Sequence, residues 1–295
     1  MSTKRYALIA ATALATVALS ACSGTTPGEP KPWPNVDTGG AVAAPTSATV
    51  ADNWISLPDT AVPPAERDTA GHRFGPLAPG VGIWEHAAGV ATDTGCTLGP
   101  AVAPEMNLAR RGYLTAGHCD KPDRNQVLTF ADAAHTNPEF AGVYTPRKPG
   151  SLDATSLWLA SDAAAPASIA GHPVAGVLTK SAVSDPKLEG QPVCVYAAVS
   201  GLKCGTLVTV DGDEISVDIP TLPGDSGSAL FMVNGNTDAA TLIGVLTDNS
   251  KGSTSYGVVA DTALRDLGAK LVTDPAVTIA PRTDAHYSDQ AVTAR

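Results

Sequence analysis

Thr206-Leu207-Val208-Thr209-Val210-Asp211-Gly212-Asp213-Glu214-Ile215-Ser216-Val217-Asp218-Ile219 decides the fold class. Two runs rich in β-branched residues flank Asp211-Gly212-Asp213. Alternation at period two puts one face of each run on a core. Asp-Gly reverses the chain between them, as in a hairpin. Short apolar runs of the same kind recur at Gly112-Tyr113-Leu114-Thr115-Ala116, Val193-Cys194-Val195-Tyr196 and Leu242-Ile243-Gly244-Val245-Leu246. Gly, Pro, Asp and Asn break them apart. The reading is an all-β sandwich or barrel over residues 80–272. Leu264, Leu267 and Leu271 have helical spacing, so Thr262 to Leu271 is expected to close the domain as a short C-terminal helix.

Composition sets the outer limits. The chain has 295 residues, 43% hydrophobic and 16% charged, with a formal net charge of −10. That is enough apolar material for one large domain or two small ones. An acidic chain with no dense basic patch repels phosphate backbones, so no nucleic-acid partner is expected.

The two ends differ from the middle. Lys4 and Arg5 precede a run from Tyr6 to Leu19 made almost wholly of Ala, Leu, Ile, Val and Thr. It is short for a membrane span and suits the apolar region of a signal peptide, residues 1–21. Leu19-Ser20-Ala21-Cys22 resembles a bacterial lipobox, in which Cys22 takes lipid and becomes the mature N-terminus. Residues 22–79 are rich in Pro, Gly and Ala and read as a tether or a short pro-segment. Residues 273–295, with Pro275 and Pro281, read as a flexible tail. The expected location is the outer face of a cell membrane, held by lipid.

Five cysteines stand at 22, 96, 119, 194 and 204. An odd thiol in an exported chain needs an explanation, and lipid on Cys22 supplies one. The other four suffice for two disulfides in an oxidising compartment, with three connectivities open. The His and Cys residues lack metal-ligand spacing, and no metal or cofactor is expected.

Two motifs carry chemistry. Gly224-Asp225-Ser226-Gly227-Ser228 is a glycine-flanked turn. A serine hydroxyl attacks only when a base takes its proton, and it needs N–H groups to hold the oxyanion that forms. Such a turn can aim the hydroxyl and the N–H groups of Gly224 and Ser226 at one point. Leu114-Thr115-Ala116-Gly117-His118-Cys119 offers the base, since neutral imidazole suits that task near pH 7. The other histidines, at 72, 86, 135, 172 and 286, sit in polar or Pro-rich contexts and read as ordinary. A carboxylate must orient the base. Asp153, just before the apolar run Ala154 to Leu159, is the first candidate and Asp132 the rival.

With these residues in view, the chain resembles the chymotrypsin-like serine peptidases. The likeness is strongest to the bacterial secreted branch with streptogrisins and α-lytic protease. The order His118, Asp153, Ser226 is that family's, and Ser228 departs from the G-x-S-x-G pattern of α/β-hydrolases. The likeness also takes in Gly95-Cys96-Thr97-Leu98-Gly99 and Ser200-Gly201-Leu202-Lys203-Cys204-Gly205. It implies two packed antiparallel six-stranded β-barrels, a triad in the cleft between them, and disulfides Cys96–Cys119 and Cys194–Cys204. It makes Gly224 and Ser226 the oxyanion hole and buries Asp225 beneath it. Thr247-Asp248-Asn249 becomes the segment that borders the substrate cleft.

Three departures are visible. Relatives often carry Arg after the cysteine matching Cys194, paired with the buried Asp; here it is Val195, so the partner of Asp225 is open. Ile219 to Pro223 contains no further Cys. Pro220 stands where trypsin has the Asp that selects Lys and Arg. The expected activity is endopeptidase action on exported polypeptides by a monomer. The alternatives are a proteolytically silent surface-binding lipoprotein on the same fold and an esterase.

Overall fold

A computed structural model describes residues 53–86, 95–121, 126–135, 137–146, 150–160, 165–248, 252–277 and 284–294. All of them belong to one unit, residues 47–295. The hairpin that decided the fold class is present. Strands Gly201–Asp211 and Glu214–Asp218 pair antiparallel, with Asp211 opposite Glu214 and Val210 opposite Ile215.

That hairpin is a third of a closed barrel. Its two strands continue through Thr254–Val259, Ala239–Asp248, Ala229–Asn234 and Pro192–Ala197, and the last pairs back with Gly201–Asp211. Closure removes the unpaired edges that an open sheet would expose. Val193, Leu207, Ile215, Leu230 and Ile243 fill the interior, all at most 1% exposed.

The second sheet curls around its own core of Ile83, Leu98, Tyr113 and Leu157. Its order runs through Ala101–Pro104, Gly112–Ala116, Ala154–Leu159, Pro138–Tyr144, Gln126–Phe130, Gly82–His86 and Gly95–Thr97. Gly95–Thr97 and Ala101–Pro104 act as two halves of one bent strand. Across the bend, Gly99 N–H donates to Leu114 O at 2.8 Å and Leu114 N–H to Pro100 O at 2.9 Å. Counted so, six strands form the second barrel, as expected. A third cluster, with Leu114, Trp158, Phe231, Leu242 and Leu271, joins residues of both sheets and packs one barrel on the other. Burying each such large side chain stabilises the fold by roughly 1.5–3 kcal/mol.

Three boundaries differ from expectation. The helix is Ala260–Leu267, not Thr262 to Leu271. Gly268, at φ 59°, takes the left-handed cap that suits glycine, and its N–H reaches Leu264 O and Arg265 O. Leu271 then sits on strand Ala269–Thr273. The folded body also begins earlier than residue 80. Trp54–Ile55 pairs with Ala229–Asn234, and Trp54, Val62 and Phe74 are buried. The Tyr113 hydroxyl donates to Leu77 O at 2.8 Å, tying this segment to the barrel core. The described part of the expected tether, from residue 53 on, is thus folded against the barrel, and residues before 53, with Cys22, lie outside the described residues.

The expected flexible tail is partly built in as well. Ala291–Thr293 pairs in parallel with Ala269–Thr273. Ser288 and Gln290 are buried, and Arg265 bonds both Asp261 and Asp289.

Candidate active site

Strand Gly112–Ala116 leads directly into the 3-10 turn Gly117–Cys119 that presents His118. The Cys96–Cys119 disulfide fixes the far end of this turn. Its partner strand, Ala154–Leu159, is registered so that Ala154 faces Ala116. Asp153, one residue earlier, therefore arrives beside His118. Its Oδ1 accepts the His118 backbone N–H at 2.6 Å and its Oδ2 lies 2.8 Å from Nδ1. A carboxylate at Nδ1 keeps the proton there and leaves Nε2 as the basic nitrogen. Asp132 does not compete, because its Oδ1 accepts Ala134 N–H in a turn of its own.

Ser226 comes from the other barrel, in the turn before Ala229–Asn234. Several backbone bonds hold that turn. Thr97 N–H donates to Ser226 O at 2.8 Å, Gly227 N–H to Leu246 O at 2.7 Å, and Ser228 N–H to Asp225 O at 3.1 Å. Ser226 is 7% exposed. It lines, together with His118, two adjoining cavities of about 840 and 230 Å³. No hydrogen bond joins the Ser226 and His118 side chains among the described residues.

The N–H groups of Gly224 and Ser226 donate to nothing among the described residues. Two amide donors of one turn that lack an acceptor can hold a developing negative charge on oxygen. Gly224 adopts φ 99°, a conformation that favours glycine, and its carbonyl accepts from the Thr97 hydroxyl at 2.8 Å.

Asp225 is fully buried, and its partners are now visible. Val199 N–H and Ser200 N–H donate to Oδ1 at 3.1 and 3.0 Å. Leu222 N–H and the Ser200 hydroxyl donate to Oδ2 at 2.8 and 2.5 Å. Four neutral donors take the place of an arginine, and hydrogen bonds to a charged acceptor are among the stronger ones. Val195 lies in the barrel core and takes no part.

Thr247 and Asp248 line the larger cavity, and Asn249 lies outside the described residues. Asp153, Asp213 and Glu214 line it too, so its walls carry several carboxylates. Asp213 bonds Lys180 at 2.8 Å, which holds its carboxyl below the ordinary carboxylate value. Pro220 is exposed, and its neighbour Thr221 is buried and bonded to the Ser255 hydroxyl at 2.7 Å. Both expected disulfides, Cys96–Cys119 and Cys194–Cys204, are formed.

The sequence reading missed His72. It is 7% exposed and lies against the Gly224 turn rather than in a solvated segment.

Among solved structures, a glutamic-acid-specific serine protease, described as using a histidine triad in substrate binding, aligns over 66% of this chain and 100% of its own. The TM-score is 0.50 and the identity 16%. The fold is that of the chymotrypsin-like serine proteases. Protease A of Thermobifida fusca aligns with TM-score 0.49 and 17% identity, over 67% of this chain and 98% of its own. Cellulomonas bogoriensis chymotrypsin does so with TM-score 0.46 and 20% identity, over the same shares. No protein-family model matches the sequence. No curated protein matches it either.

Proposed function

We propose that the chain is a serine endopeptidase, with Ser226 as nucleophile, His118 as general base and Asp153 as the group that orients the base. The observation that carries this reading is the pair of Asp153 bonds, at 2.6 and 2.8 Å, to His118, which lines the same two cavities as Ser226. His118 Nε2 takes the hydroxyl proton as Ser226 Oγ attacks the scissile carbonyl. The carbonyl carbon becomes tetrahedral, and its oxygen is held by the N–H groups of Gly224 and Ser226. His118 returns the proton to the leaving amine, and water then releases the acyl group by the same route in reverse.

The cleft adds a preference. Asp153, Glu214 and Asp248 line it beside Asp213, whose charge Lys180 offsets, so segments bearing Lys or Arg near the scissile bond are favoured over acidic ones. An unbiased peptide library tests both statements. Cleavage at internal peptide bonds, enriched near Lys or Arg and less selective in high salt, is expected. Hydrolysis of short acyl esters with all peptides left intact would point to the esterase instead.

The anchor belongs to the same reading. Four of the five cysteines are consumed in disulfides, which leaves Cys22 for lipid. Among the described residues no helix is long and apolar enough to cross a membrane. Several acyl chains on Cys22 hold a protein stably, at about 0.8 kcal/mol per buried methylene. Mass spectrometry of the mature N-terminal peptide is expected to find Cys22 acylated; an unmodified thiol there contradicts the anchor. The proposed substrates are exported polypeptides, met by a monomer at the outer membrane face.

A further inference from the structure

We propose that His72 is a positioning residue for the oxyanion hole, bracing Gly224 from behind so that its N–H stays turned into the cleft. The proposal rests on the peptidase reading given above and extends it to a segment that the sequence marked as tether.

The ring sits where it can do this. A Cβ built on Gly224 would lie 2.7 Å from His72 Nε2 and 2.8 Å from a methyl of Val199. A Cβ on Gly95 would lie 3.1 Å from the same nitrogen. The imidazole is thus wedged between the nucleophile turn and the strand that carries Cys96. Among the described residues both ring nitrogens are buried without a hydrogen-bond partner, and Nδ1 stands 3.6 Å from Asp68 Oδ1. A buried polar atom left unpaired costs free energy that an apolar side chain would avoid. Burial, outweighing nearby Asp68, also holds the imidazole pKa below its ordinary value, so the ring is neutral near pH 7.

A brace is needed at this point. The plane of the Pro223–Gly224 peptide can rotate by opposed changes in the bonds flanking it, with little movement of the rest of the chain. Such a rotation turns the Gly224 N–H away from the substrate. Nothing at Gly224 resists it from within, since the residue has no side chain and its N–H has no acceptor among the described residues. The Thr97 hydroxyl secures only the following peptide, through Gly224 O. His72 and Val199 occupy the space behind the α-carbon.

The segment that delivers His72 is held by the same turn that holds Asp225. Thr60 exchanges two backbone bonds with Leu202, at 2.9 and 2.8 Å. Arg73 bonds the Tyr196 hydroxyl and lies 4.8 Å over its ring. Asp68 Oδ1 accepts the His72 N–H at 3.0 Å and fixes the local turn. Residues 196–202 therefore support the oxyanion turn directly, through Val199 and Ser200, and support its brace through Thr60 and Arg73.

The test uses the full chain with His72→Ala, His72→Leu and His72→Phe. Turnover of a peptide substrate is measured with two affinities: for a peptide aldehyde, which forms a covalent oxyanion, and for a non-cleavable peptide, which does not. His72→Ala is expected to lower kcat about 10- to 100-fold, less than the roughly 10²- to 10³-fold cost of deleting an oxyanion donor. KM and non-cleavable peptide affinity should stay within about threefold, while aldehyde affinity falls with kcat/KM. The flat ring of Phe should restore part of the loss. Leu keeps much of the volume, and should lose kcat in the same sense even if the Ala variant does not fold. A folded Ala or Leu variant with kcat within about threefold of wild type would overturn the brace alone. A wild-type chain that neither cleaves peptide nor reacts at Ser226 would overturn the peptidase reading, and the brace with it.

Discussion

Ser226→Ala lowers kcat by on the order of 10⁵-fold or more, with KM nearly unchanged. The hydroxyl makes its decisive interaction only as the carbonyl is attacked, so its loss falls on the transition state and not on ground-state binding. What survives comes from the amides of Gly224 and Ser226, both backbone groups that the substitution leaves in place. Residual catalysis of this kind runs at roughly 10³ to 10⁴ over water. Ser226 is 7% exposed and its side chain bonds no neighbour among the described residues, so the variant should fold as the parent does. Steady-state turnover of one peptide, with unfolding curves for both proteins, checks the pair of statements. A loss below about tenfold would remove Ser226 from the chemistry.

Asp153→Asn is the second large effect, and it separates geometry from proton placement. Asparagine keeps an oxygen that can accept the His118 N–H, so the Gly117–Cys119 turn is retained. Its amide nitrogen then faces Nδ1 as a donor. The imidazole answers by carrying its proton on Nε2, where it cannot act as a base. A fall in kcat of about 10⁴ follows, or about 5.5 kcal/mol of transition-state stabilisation. Asp153→Ala loses the turn bond as well and should be the less stable of the two. If Asp153→Asn retains more than a tenth of wild-type turnover, the carboxylate is a structural cap only.

How much of this could be read from sequence depends on which atoms do the work. The hairpin around Asp211-Gly212-Asp213 was legible because side-chain alternation and turn chemistry are properties of residues. So was His118, at the end of an apolar run and beside a cysteine. Asp153 stood out because it directly precedes an apolar run, and only the structure shows that this run pairs with the strand leading to His118. The partners of Asp225 were not legible. Three of the four are backbone N–H groups, and a backbone amide carries no residue identity for a pattern to show.

The N-terminal segment failed for a related reason. Trp54, Val62, His72 and Phe74 each dock singly along an irregular chain, so no period links them. Proline and glycine content described the local backbone there and said nothing about what it leans on. His72 is the sharpest instance, since its setting is made by Gly224, Gly95 and Trp84, all brought in from elsewhere. The helix end is a different kind of miss. Gly268 was the stop signal, and Leu271 fell on helical spacing by coincidence while belonging to the next strand.

The central claim is that Ser226 is an activated nucleophile. The most direct measurement treats the folded wild-type chain and Ser226→Ala with a fluorophosphonate and locates the adduct by peptide mass spectrometry. One phosphonyl group on Ser226 of the wild type, and none on the variant, is the predicted result. A folded wild-type chain that stays unmodified at Ser226 would contradict the account.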